Sequence, residues 1–215
     1  MKNISLKKLM LALLLTAAVP TLTAQVHVGD ILCEGNAIIS PANYPSSGAT
    51  AIGVVFYVDN TGQHGWAVAL ENSASSSWGG CGGQWSPCSD TPLVNLNSKR
   101  QAIYDLDGFE NTRIVREYSS DFGAFNVVDF ESGWYLPAIG QLNYLYGNLV
   151  EVNASLLVAG GTAFNSNQYW SSTESSQDGA WFLTSSGELL NYDAHSNGWY
   201  DWKGSTRGVR AARNF

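Results

Sequence analysis

The stretch Tyr169-Trp170-Ser171-Ser172-Thr173-Glu174 gathers three aliphatic hydroxyls, a phenol and a carboxylate beside an indole, with Trp181 a few residues on. A serine nucleophile needs a base within hydrogen-bond reach and a third group to orient that base. The histidines are His27, His64 in a turn, and His195 in a Gly/Asn-rich loop, and no Gly-x-Ser-x-Gly elbow exists. Serine-hydrolase chemistry is therefore disfavoured. The residue types fit a structural clasp better, because a buried indole wants a partner for its N–H and buried hydroxyls must themselves be matched. Glu174 then requires a cation, for which Arg210 and Arg213 near the end of the chain are the candidates. Trp134, Trp170, Trp181, Glu174, Arg210 and Arg213 are accordingly assigned structural roles.

A binding chemistry is better placed in Tyr192–Trp202, where Trp199, Tyr200 and Trp202 stand among Asp193, His195, Asn197 and Asp201. Aromatic faces stack on sugar C–H surfaces while Asp and Asn bond hydroxyls, and protein interfaces likewise favour Trp and Tyr. The alternative is a long hairpin whose aromatics fold back on the core, and the residues leave both open. The loop carrying Trp78 and Trp85 is the second place to look.

Metal chemistry has weaker footing. Asp105-Leu106-Asp107-Gly108-Phe109-Glu110-Asn111 offers clustered oxygens to calcium but lacks the third loop acid and distal Glu of an EF-hand. The competing expectation is a helix start over Phe109–Tyr118 with its acids complementing the dipole. No cofactor is expected, and no specific motif calls for calcium. Cys81 and Cys88 flank a turn-forming Gly-Gly-Gln-Trp-Ser-Pro stretch and could pair, with Cys33 as the rival partner of either. A zinc site is disfavoured, since neither belongs to a Cys-x-x-Cys unit and no His pair stands nearby.

The elements that must position these residues read as follows. Lys2, Lys7 and Lys8 precede an apolar run from Leu9 to Val19, and Thr23-Ala24-Gln25 offers a cleavage site, so residues 1–24 are expected to be a signal peptide. Removing its three lysines and no acids takes the formal charge from −7 to −10. That excludes the basic footprint of a nucleic-acid partner. Residues 25–215 form one domain's worth of exported, non-membrane-spanning chain. Ala51–Val58 and Gly65–Leu70 read as a hairpin about Asp59-Asn60-Thr61-Gly62, followed by a long irregular excursion from Glu71 to Leu96. Ser98–Tyr118 is helical in two pieces. A helix follows Pro137, with Ile139, Leu142, Leu145, Tyr146 and Leu149 on one face, and a shorter one runs from an Asn153 cap to Ala159. Ala180–Thr184 with Glu188–Tyr192 makes another hairpin, and Arg207–Phe215 a last strand. Short antiparallel strands, two helical regions and long loops in one unit mean α+β.

Gly53–Leu70, Gly133–Leu149, Tyr169–Glu174, Ala180–Leu183 and Val209–Phe215, in that order, resemble the DUF1566 family. That family is similar to the C-terminal domain of the Legionella collagen-like adhesin. The resemblance implies a C-type lectin-like fold, akin to formylglycine-generating enzymes, in an exported and often adhesion-associated protein of a Bacteroides-like bacterium. The oxidases of that fold use a copper-binding cysteine pair late in the chain, whereas every cysteine here lies at or before position 88. The expected role is a non-enzymatic surface adhesion module recognising a host or bacterial glycan or protein. A structural or pilus-associated subunit is the alternative.

Overall fold

The computed structural model describes residues 25–82, 86–165, 167–184, 186–190 and 202–215. It is an α+β architecture built on two five-stranded sheets. The first contains β1 (Ile31–Cys33), β2 (Ile38–Ile39), β3 (Ala51–Val58), β4 (Gly65–Ala69) and β10 (Ala212–Asn214), ordered β10-β4-β3-β1-β2. The expected hairpin forms its centre, with Val54 opposite Val68 and Val58 opposite Gly65. The turn is fixed by Asp59, whose carboxylate accepts from the backbone N–H of Thr61 and Gly62 and from the Thr61 hydroxyl.

The second sheet contains β5 (Ser73–Ser77), β6 (Tyr169–Glu174), β7 (Ala180–Leu183), β8 (Leu189–Leu190) and β9 (Thr206–Val209), ordered β5-β9-β6-β7-β8. Its pairs are antiparallel except β6 with β9, which is parallel. The β6–β7 hairpin is buried on both faces. Tyr169, Trp181 and Leu183 enter a core with Val54, Phe56 and Val68. Trp170, Ala180 and Phe182 enter another with Trp78, Phe122, Phe125 and Val209. This is the period-two alternation of a strand, with a separate core receiving each face.

Among the described residues five α-helices pack with these sheets: α1 (Lys99–Ala102), α2 (Gly108–Tyr118), α3 (Gly123–Asn126), α4 (Ile139–Gly147) and α5 (Leu149–Val158). The expected two-piece helix over Ser98–Tyr118 is α1 and α2, broken between Ala102 and Gly108. In α4, Ile139, Leu142 and Leu145 are buried as the spacing requires, but Tyr146 turns outward and donates its hydroxyl to the Ser186 carbonyl. α5 begins at Leu149, four residues before the expected start, because Asn148 ends one helix and opens the next. Asn153 is therefore no cap. Its amide instead accepts from the Phe164 N–H at 2.8 Å and donates to the Phe164 carbonyl, tying down the chain after α5. The outer face of α5 is apolar as well: Val150, Leu157 and Val158 are exposed while Val152 and Leu156 are buried.

Two further expectations are corrected. Glu71–Leu96 is not wholly irregular, since its serine run Ser73–Ser77 pairs with β9. The last strand is two strands: β9 lies in one sheet and β10 in the other, with Arg210 and Ala211 making the crossing. Among the described residues no helix is long and apolar enough to cross a membrane.

Candidate functional site

The hydroxyl-rich strand β6 organises the polar interior. Its ladder with β7 is interrupted between Trp170 and Glu174, so residues 171–173 must satisfy their polar groups by other means. Ser171 donates to the Trp181 carbonyl at 2.8 Å, and its own carbonyl accepts the Trp78 indole N–H at 2.7 Å. Ser172 accepts from the Asn111 amide. Thr173 accepts the Ile139 N–H at the start of α4 and donates to the Asp105 carboxylate at 2.6 Å. The three hydroxyls thus bind β6 to β7, α2, the Asp105 turn and α4, and none bonds a histidine among the described residues.

Glu174 ends the strand fully buried and paired with the equally buried Lys203. This corrects the expected partnership with Arg210 or Arg213. Arg210 sits at the crossing between β9 and β10, where its guanidinium donates to the carbonyls of Ala69, Leu70 and Thr162 and to the Asn72 side chain. Arg213 reaches Asn36 and lies 5.9 Å from the Trp134 ring. Lys203, which precedes β9, also donates to the carbonyls of Ser89 and Gln177 and lies 4.7 Å from the Trp78 ring. Burial pushes the Glu174 carboxyl up and the Lys203 ammonium down, each offset by the other's charge. The sequence signal for Lys203 was slight: a lone lysine between Trp202 and Gly204 in a chain poor in cations.

The same clasp holds the disulfide loop. Cys81 and Cys88 are joined, and Cys33 is free and buried in β1. The Cys88 N–H donates to Asp178, the Gln177 amide donates to the Cys88 carbonyl, and Ser89 N–H donates to Gly80. Because these polar contacts hold the loop independently, reducing the disulfide is expected to cost no more than ~3 kcal/mol, the chain-entropy value for a considerably longer loop. Urea unfolding with and without reductant measures this; a larger loss means the covalent bond, not the polar contacts, holds the loop.

Two of the nine expected binding residues, Trp78 and Trp202, lie among the described residues. Trp78 is fully buried, edge-on to Phe122 and Phe125, so it belongs to the core and not to a recognition loop. The physical reason is the Ser171 carbonyl waiting for its indole N–H inside that core. Trp202 is half-buried, its ring folded over Gly204, and its backbone bridges to Gly179. Trp85, Asp193, His195, Asn197, Trp199, Tyr200 and Asp201 lie outside the described residues.

A cleft of about 410 Å³ opens instead between the 92–96 segment and the α1–α2 region, with Glu174 at its floor. Leu93, Val94, Leu96 and Ile114 give it apolar walls, and Tyr104 stands at its edge. Asp105, Asp107 and Glu110 supply carboxylates. Gly140 allows the Asp105 turn to approach α4, since a Cβ there would lie 2.4 Å from the Asp105 carbonyl and 2.5 Å from that of Ile103. Asp105 does not offer the open oxygens of a calcium loop. Its carboxylate already accepts from Thr173, from Asn111 and from the Asp107 N–H. Among the described residues no group of three metal-ligating side chains assembles.

No family model matches the chain. No curated protein matches it either. A solved structure does: a fimbrial protein from Bacteroides ovatus ATCC 8483, at TM-score 0.57 and 19% identity over 88% of this chain. The two share a fold. The chain spans about half the length of that protein, 49% of which is covered.

Proposed function

We propose that this protein is an exported, non-enzymatic surface subunit associated with a pilus-like assembly. The observation that carries this reading is its likeness in fold to a fimbrial protein over 88% of the chain. Fold alone does not carry function, so the side chains must agree with it. In support, the hydroxyls of β6 are occupied in holding β7, the Asp105 turn and α4 in place. The outer face of α5 supports an assembly role, because exposed apolar stripes on soluble domains mark contact surfaces. The apolar leader expected at residues 1–24 gives the route of export, and the resemblance to DUF1566 with its C-type lectin-like fold belongs to the same proposal.

The test is to shear surface appendages from producing cells and probe them with antibody against the chain. The protein is expected in the high-mass filament fraction with its N-terminus at or near Gln25. Cytoplasmic protein with an intact Met1 would overturn the proposal. A glycan array run with and without calcium decides whether sugar recognition through residues 193–202 accompanies assembly.

A further inference from the structure

We propose that the cleft between the 92–96 segment and α1–α2 is a receptor for a lysine or arginine side chain of a polypeptide partner. Its size lies within the roughly 300–1,000 Å³ usual for ligand sites. Among the described residues four carboxylates line it and no lysine, arginine or histidine does. Two of the four are neutralised by the protein itself: Glu174 by Lys203, and Glu110 by Arg113 one turn along α2. Asp105 and Asp107 have no cationic partner among the described residues. The hydrogen bonds to Asp105 come from uncharged donors, and the Asp107 side chain makes no cap to α2. The cleft thus keeps an uncompensated negative charge.

Its walls narrow the class of cation. Tyr104 and Val94 are 77% and 76% exposed, although both are residues that normally gain from burial. They offer apolar surface to an alkyl stem and an aromatic face to a cation, which suits an amphipathic side chain whose stem packs while its head stays polar. A small hydrated metal ion would gain nothing from Val94, Leu93 or Tyr104. An anionic or purely apolar ligand would meet Asp105 and Asp107 unpaired. The inference rests on the proposed subunit role only in taking the ligand to be part of a polypeptide, and its binding measurement does not depend on where the protein resides in the cell.

The experiment titrates the full chain with a blocked five-residue peptide of alanine and leucine bearing one central lysine, followed by NMR. A second peptide carries norleucine in place of the lysine. Binding in the millimolar range is expected for the lysine peptide, with shifts centred on Tyr104 and α2, and at least about fivefold weaker binding for the norleucine peptide. Asp107→Asn and Tyr104→Ala should each weaken the lysine peptide several-fold. Asp121→Asn, remote from the cleft, should leave it unchanged. Equal binding of the two peptides, unchanged affinity in both cleft variants, or shifts produced by calcium alone and not by peptide would each overturn the assignment. Peptide binding by a chain that never reaches the filament fraction would sink the subunit role and leave the cleft assignment standing.

Discussion

Lys203→Met is expected to destabilise the protein by about 3–5 kcal/mol, the cost of stranding a buried charge whose partner has been removed. The Glu174 carboxylate would keep its hydrogen bond from Thr91 but lose its ion-pair partner, in a site with no solvent exposure on either side chain. The carbonyls of Ser89 and Gln177 would lose their donor at the same time. Urea unfolding of the two proteins measures the difference. Glu174→Gln combined with Lys203→Met removes the stranded charge, so the double variant should recover part of the loss and not all of it. If Lys203→Met unfolds at the wild-type midpoint, the buried pair does not form and the clasp is wrongly assigned.

Trp170→Ala should cost a similar ~3–5 kcal/mol, because it removes a large buried apolar surface and leaves a cavity in its place. The ring is fully buried, edge-on to Phe182 at 5.9 Å, with the Arg207 guanidinium 4.8 Å from its centroid. Its N–H donates to the Ser76 carbonyl, which links β6 to β5 across the intervening β9. Trp170→Phe keeps most of the volume while giving up that hydrogen bond, so it should cost less than half as much. A loss below about 1 kcal/mol for the alanine variant would place the ring at the surface, in the range of ordinary exposed substitutions.

Both effects concern a region whose local structure was legible in sequence while its partners were not. The β3–β4 hairpin could be read because β-branched residues flank a turn that only a few residue types make well. The β6–β7 hairpin was visible as two aromatic runs, and the expectation that its hydroxyls satisfy buried groups agrees with their hydrogen bonds. β5 was hidden, since Ser73-Ala74-Ser75-Ser76-Ser77 carries neither β-propensity nor alternation, and its pairing with β9 alone makes it a strand. The ion pair escaped because Glu174 and Lys203 are brought together only by the tertiary fold, and the two arginines of the expected last strand offered a simpler match. The cleft was half legible. The acids of Asp105–Glu110 stood out as a cluster, but the apolar 92–96 wall facing them is distant in kind and lies in what reads as featureless loop.

The crossing of the chain between its two sheets at Arg210 and Ala211 bears on how the protein is made. β9 sits inside one sheet, between β5 and β6, and β10 completes the edge of the other beside β4. Residues 206–214 are thus needed by both sheets, and among the described residues they follow every other strand of both sheets in the chain. Before they arrive, β5 has no neighbour in its sheet, and Ala69, Leu70 and Thr162 await the Arg210 guanidinium. Pairings of such long sequence separation form late and slowly. The last two strands therefore act as a single fastener, and neither sheet has its full set of strands until residues 206–214 are in place.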